Sequence, residues 1–491
     1  MIQPQGGSAI PATSDLDVPQ LVSLGRRLLE SRQFAEAEAC YARAVALDPS
    51  HPIAHCQLGR LRRIQGDNDQ ALAHFQQAIK LDPSLAIARR HLAMLLVRLG
   101  RQDESLPFWR WEMHSGEGLA SIQKLATSAM NSRDLTLAGR YAAIAAELRW
   151  GRPLFEQVSS FEPSATPSIP LSVPKLRHDL EQFKYLRRSG ILGSEFVPVI
   201  SDYQHVLEDM ERVSADARAP IGGEEHRIIR HVYNRLVYVC PVARVRRALS
   251  DTWDADVAER RYIDNRPGIV VVDDFLSREA LEGVRKFCLE STVWFHNRYA
   301  HGRLGAFFQD GFNCPLLLQI AAELRDALPR VIGSRHSLRQ VWGFKNVQPL
   351  PAGVTTHADF AAVNVNFWIT PDDANLDETS GGLVIYDVDA PMHWDFDTYN
   401  GSDMIEPFLQ RQRSRAITIP YRQNRAIIFN SDLFHATAAV SFRPEYENHR
   451  VNVTMLYGDR EDDNHHVQLA RGSDTVTAWR SATIASLRKA R

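Results

Sequence analysis

The stretch that decides the reading is VTTHADFAAVNVNFWIT, residues 354–370. Its second half alternates: Val363, Val365 and Phe367 fall on one side of an extended chain, and Asn364 and Asn366 on the other. Side chains two apart on a strand share a face. The same rule places His357 and Asp359 on one side of the segment that leads into the strand, so that an imidazole and a carboxylate converge. Asparagine is disfavoured in strands. A pair on one face therefore either hydrogen-bonds a bound molecule or satisfies polar neighbours, and the residues themselves leave both readings open.

Working outward, 76 residues beyond Asp359, the apolar run AIIFNSDLF (426–434) delivers His435. Two imidazoles and one carboxylate leave three adjacent coordination positions open on a first-row metal, as in non-haem iron(II) oxygenases. A further candidate strand begins Arg450-Val-Asn-Val-Thr-Met-Leu-Tyr. A guanidinium heading that strand offers a bidentate fork to a carboxylate. Upstream, IVVV (269–272) reads as a buried strand and SREALEGVRKFC (277–288) as a helix with Ser277 at its N-cap. VWGFKNVQPL, GGLVIYDV and RAITIPY add further short strands between turn residues, the pattern of a jelly-roll barrel.

The order His-x-Asp, glycine pair (Gly381, Gly382), His, Arg resembles the 2-oxoglutarate-dependent dioxygenases. With the opening IVVVDDFLSREALEGV, it looks like their prolyl-hydroxylase-like branch. The resemblance covers about 200 residues. It implies a double-stranded β-helix with flanking helices that holds Fe(II) on His357, Asp359 and His435. It also implies 2-oxoglutarate as co-substrate, gripped by Arg450 with Asn364 and Asn366 as further contacts, and dioxygen as oxidant. Related halogenases replace the carboxylate with a small residue, so Asp359 points to hydroxylation. One departure is the 15-residue step from His435 to Arg450, longer than the usual ten or so. The surplus falls in FRPEYENH (442–449), where Arg443 is the alternative arginine. Trp342 and Lys345 lie on the strand before the His-x-Asp segment, where a purely structural role is favoured over lining the pocket. His393, His449, His465 and His466 read as solvent-exposed.

The N-terminal third repeats. LDPS occurs at 47–50 and 81–84, an offset of 34 residues that also relates Gly25 to Gly59, Ala37 to Ala71 and Ala44 to Ala78. Small residues let paired helices approach, and Asp-Pro stops the second helix because proline disfavours the helical region for the residue before it. The pattern resembles the tetratricopeptide repeat, an α-solenoid of helix pairs. A third unit spans about 85–115, with Ala93 and Ser105 in the small positions, and a degenerate fourth spans 119–149. Such arrays imply a protein or peptide partner.

Expected boundaries are a disordered lead at 1–16, repeats at 17–150, a Pro/Ser-rich linker at 151–175 and a helical connector at 176–265. The dioxygenase barrel follows at 266–470 and a helix or tail at 471–491. Composition narrows the classes. The 57 basic and 59 acidic residues give a net charge of −2, with no basic run for nucleic acid. No apolar run suits a membrane span, and no secretory signal opens the chain. Five scattered cysteines without a CxxC pair argue against a disulfide framework and for a cytoplasmic protein. The expected function is hydroxylation of a protein or peptide recruited by the repeats. The alternatives are a small-molecule oxygenase whose repeats serve assembly, and a non-catalytic scaffold. Oligomeric state is not legible.

Overall fold

The computed structural model describes residues 16–113, 118–154, 170–215, 217–221, 229–299, 301–351 and 356–460. The expected N-terminal lead up to residue 15, the C-terminal tail, and His465 and His466 lie outside these. The chain divides into two compact units between Ser121 and Ile122.

The first unit consists of helix pairs: α1 (Val18–Glu30) with α2 (Phe34–Leu47), α3 (Pro52–Ile64) with α4 (Asn68–Leu81), and α5 (Ala86–Arg98) with α6 (Gln102–Met113). The 34-residue offset recurs atom by atom. A Cβ on Gly25 would stand 2.6 Å from the Tyr41 ring, and one on Gly59 would stand 2.9 Å from the Phe75 ring. Each glycine thus seats the aromatic ring of its partner helix. Ala37, Ala44, Ala71 and Ala78 are fully buried. Asp48 and Asp82 end their helices in extended backbone before proline. Each then accepts the amide of the serine two residues on. The fourth pair, α7 (Gly118–Asn131) and α8 (Leu135–Trp150), does not continue this unit, because all of it beyond Ser121 belongs to the second. Here α8 carries Trp150, which stacks on Phe295 at 4.2 Å and donates from its indole to Asp310.

In the second unit, the expected linker is replaced at its C-terminal end by structure. Strand β1 (Leu171–Ser172) pairs with β2 (Arg218–Ala219), and α9 (Val173–Arg188) starts at once. Leu171, Val173 and Leu176 are buried in one cluster with α10 (Val197–Val213) and α11 (Ile229–Val232). The expected connector is therefore part of this unit's core: Gln182 donates to the carbonyls of Leu289 and Ser291. Helices α12 (Ala255–Asp264), α13 (Arg278–Glu290) and α14 (Pro315–Ala327) follow, with Ser277 capping α13 as expected.

The β-rich region holds two antiparallel sheets. The larger contains β3 (Ile269–Val272), β4 (Arg303–Phe307), β5 (Leu338–Asn346), β6 (Val363–Trp368), β9 (Ala426–Asn430) and β11 (Arg450–Tyr457), in the order β3-β9-β6-β11-β5-β4. The smaller contains β7 (Leu383–Asp389), β8 (Ala416–Ile419) and β10 (Leu433–Thr437), in the order β10-β7-β8. Strands β4 and β10 were not expected from sequence. Apolar side chains from both sheets, among them Trp368, Ile385, Ile419 and Phe429, pack in one cluster.

Behind β5 lies a buried ionic cluster. Lys345 is fully buried and hydrogen-bonded to Tyr446 Oη at 3.0 Å and His178 Nε2 at 3.2 Å. It lies on the opposite face of β5 from Trp342 and Phe344, so it is not a pocket residue. His449, expected in solvent, is buried here, 3.4 Å from Glu181. The cause is the surplus loop before Arg450, which folds inward on Tyr446 instead of projecting. Burial pushes the Lys345 amine down to about 7; Cys288, Glu181 and Asp179 oppose the shift and Lys175 adds to it. The unfolded chain therefore binds more protons between pH 7 and the ordinary lysine value, and stability rises with pH there. Cysteine thiols, which burial raises, act with the opposite sign only above their ordinary value. Between pH 7 and about 8.5, Lys345 should contribute up to about 1.4 kcal/mol per pH unit. Urea melts of Lys345→Met against the parent check this. The variant should lose that slope; an unchanged slope would show that the amine stays protonated.

Candidate metal centre

His357 and His435 meet through main chain first. They form an isolated antiparallel bridge, each amide donating to the other's carbonyl, at 3.0 and 2.8 Å. The register puts both imidazoles on the same side, with ring centroids 4.5 Å apart. Asp359 is fixed two residues on by its amide, which donates to Ser431 O. Its carboxylate stands 3.4 Å from His435 Nε2 and 3.8 Å from His357 Nε2. One ligand atom from each of the three lies within 4.8 Å of those of the others.

Neighbouring groups hold these ligands in place. Asn364 Nδ2 donates to Asp359 Oδ2 at 2.7 Å, which orients the carboxylate. His435 Nδ1 lies 3.0 Å from Leu433 O. A proton on that nitrogen leaves the Nε2 lone pair facing the cluster. Asp359 is deeply buried, and burial pushes its carboxyl up; His435, His357 and Asn364 together outweigh this and hold it below the ordinary carboxylate value. It is therefore an anion throughout the neutral range.

The cluster opens into a cavity of about 370 Å³, counting its mouth. The large sheet supplies Asn364, Asn366, Trp342, Phe344 and Arg303, and the small sheet supplies Leu383 and Thr437. Arg450, Asn452 and Thr454 line it from β11. Arg450 is 1% exposed. Its Nε donates to Gly381 O, and its Nη groups reach Asn452 Oδ1 at 3.1 Å and Gly382 O at 3.4 Å. The glycine pair is required there. Gly381 has φ +77°, and a Cβ on Gly382 would stand 1.9 Å from Ile419 O. Every acceptor of Arg450 is neutral, and no carboxylate pairs with it among the described residues. Burial pushes this guanidinium down to about 9; Tyr421 opposes the shift and Arg303 adds to it.

His357, Asp359, His435, Arg450, Asn364 and Asn366, the ligand and co-substrate residues expected from sequence, all line one cavity, as does Trp342. Asn366 Nδ2 donates to Thr454 Oγ1, while the Oδ1 atoms of Asn364 and Asn366 are buried without partners. Arg443 is exposed, as is His393. Sequence reading missed Asn452 and Thr454, although their spacing from Arg450 on one strand was a usable signal. It also missed Arg303, whose place depends on β4 pairing with β5.

A divalent metal fits the donor set: two neutral imidazoles and one ionised carboxylate, with cavity space beside them. Arg450 is a second feature of the cavity: a buried cation with only neutral acceptors among the described residues costs free energy until an anion pairs with it. The same three ligands would also accept zinc.

Comparisons with known proteins bear on the N-terminal part only. Residues 22–63 match the family model described as tetratricopeptide repeat, and 59–100 that described as TPR repeat. A crystal structure of MamA is 20% identical over 26% of this chain and 77% of that one, with a TM-score of 0.22. YrrB, described as a TPR protein with an unusual peptide-binding site, is 19% identical over 27% and 68%, also at 0.22. The TPR domain of P58(IPK) is 22% identical over 27% and 41%, at 0.19. No curated protein matches the chain significantly. No helix among the described residues is long and apolar enough to cross a membrane. The chain therefore carries tetratricopeptide repeats in its N-terminal region, followed by a β-rich region of antiparallel sheets.

Proposed function

We propose that the β-rich region is a jelly-roll dioxygenase dependent on Fe(II) and 2-oxoglutarate, and that it hydroxylates a polypeptide recruited by the repeats. The observation that carries this reading is the sharing of one cavity. His357, Asp359 and His435 cluster in its wall, and the same cavity is lined by Arg450, a buried arginine without an acidic partner among the described residues. A zinc hydrolase would give Arg450 no evident task.

His357, Asp359 and His435 would hold the metal, and Arg450 the co-substrate's distal carboxylate through its guanidinium fork. The bound iron and 2-oxoglutarate would supply the oxidising power for insertion of oxygen into a C–H bond. The chain's own work is positional. Asn364 steers Asp359, Leu433 O fixes the His435 tautomer, and the Gly381 and Gly382 carbonyls aim Arg450.

Anaerobic addition of Fe(II) and 2-oxoglutarate should give a weak visible charge-transfer band, and air should then release succinate. Absence of both would leave a repeat scaffold. The role of the repeats is tested separately, by removing residues 1–121. Recruitment predicts a raised KM for a polypeptide substrate at similar kcat; an unchanged KM would favour the small-molecule reading, with repeats used for assembly.

A further inference from the structure

We infer that the helical insertion between β7 and β8 preorganises the metal ligands, and that Asn400 is its positioning residue; this deepens the dioxygenase reading and rests on its metal centre. The insertion covers 390–415 and holds α15 (Phe396–Tyr399) and α16 (Ile405–Arg411).

The first ground is the pair of peptide groups that join His357 to Asp359. Each is tied at both poles. The His357 carbonyl accepts from the His435 amide at 2.8 Å, and the Ala358 amide donates to Tyr399 O at 2.9 Å. The Ala358 carbonyl accepts from Asn400 Nδ2 at 3.2 Å, and the Asp359 amide donates to Ser431 O at 3.1 Å. The segment that delivers His435 thus supplies one partner to each peptide, and the insertion supplies the other. A peptide group is planar, so tying both of its poles fixes its orientation. Those two planes set how the His357 and Asp359 side chains stand to each other. Of the four partners, Asn400 alone acts through its side chain.

The second ground is packing. Successive residues of an extended chain point to opposite sides. Ala358 and Phe434, each adjacent to a ligand, therefore turn away from the metal cluster. Both are fully buried, and they pack in one apolar cluster with Tyr399, Ile405 and Leu409 of the insertion. The insertion thus backs all three ligands. The third ground is anchorage. The Ala390 amide donates to Asp432 O at 2.7 Å. Arg460 Nη2 donates to Ala390 O at 2.9 Å, and the same guanidinium lies over the Tyr399 ring at 4.1 Å. The insertion is therefore held both at its base and beside Asn400. A ligand segment ordered in advance spares the metal the cost of ordering it.

The test uses the full chain and two readouts. One is anaerobic titration with Co(II), followed by visible absorption. The other is hydrogen exchange of the segment around Ala358 in metal-free protein. Asn400→Ala removes the donor; Asn400→Asp removes it at the same shape and carries the test if the alanine variant does not fold. Ser402→Ala is the control. It loosens the insertion by losing the bond from Ser402 Oγ to Thr398 O, and Ser402 does not bond Ala358. Both Asn400 variants should bind Co(II) roughly tenfold to a hundredfold more weakly, the usual effect of losing an outer partner of a metal ligand. Their saturated cobalt band should shift, and exchange around Ala358 should be faster. Ser402→Ala should match the parent in all three respects. If the parent itself binds no Co(II), the metal-centre reading falls and this inference with it. With a parent that binds, the inference alone is overturned if both Asn400 variants keep the parent's affinity and band, or if Ser402→Ala loses as much. Weaker binding with unchanged exchange would also overturn it, because the tie to Ala358 would then not be the cause.

Discussion

Asp359→Ala is expected to lower Fe(II) affinity by roughly 100-fold or more, beyond the loss caused by removing a group that merely orients a ligand. The carboxylate is the cluster's only anion. Without it two neutral imidazoles remain, and the nearby guanidiniums repel a divalent cation. Truncation also leaves Asn364 Nδ2 without its acceptor, at a cost of about 1–3 kcal/mol in folding stability. Asp359→Asn separates the two effects, because an amide of the same shape retains an oxygen for Asn364 but not the charge. Anaerobic calorimetry with Fe(II) on both variants is the measurement. Parent-like affinity in Asp359→Ala would remove this residue from the ligand set and dissolve the metal centre.

Arg450→Met should weaken 2-oxoglutarate by about 3–5 kcal/mol, the cost of breaking one partner of a buried ion pair. Iron affinity should change by less than about threefold, since none of the guanidinium's hydrogen bonds goes to a metal ligand. Two effects on folding oppose each other: the variant removes the donors to Gly381 O and Asn452 Oδ1, and it also removes a buried cation that has no carboxylate partner among the described residues. Arg450→Lys provides a second reading: it keeps the charge and loses the fork, so its affinity should fall between the two. Equal loss of iron and 2-oxoglutarate would show that Arg450 supports the fold near the metal rather than the co-substrate.

Sequence reading succeeded where the relevant period was short. The 34-residue offset found the helix pairs because each repeat makes the same local contact, a glycine under an aromatic ring. Alternation on β6 placed Asn364 and Asn366 on one face, and the two-residue step put His357 and Asp359 together. It failed where contacts decide. The Pro/Ser-rich stretch reads as linker throughout, yet Leu171 and Val173 are buried because α10 and α11 give them a surface to pack against. His449 lies in a polar segment, but the fold of its loop around Tyr446 carries it inside. The fourth helix pair has the alanines of a repeat, while Trp150 commits it to the second unit.

By itself, then, the sequence determined which side chains could serve as ligands and which face of a strand each occupies, since those follow from backbone periods of two and 3.6 residues. Tertiary structure alone decided that three ligands separated by up to 78 positions meet within 4.8 Å, and that two arginines from different strands share their cavity. The physical reason is that inter-strand register is set by pairing and by burial across the sheets, not by neighbours along the chain.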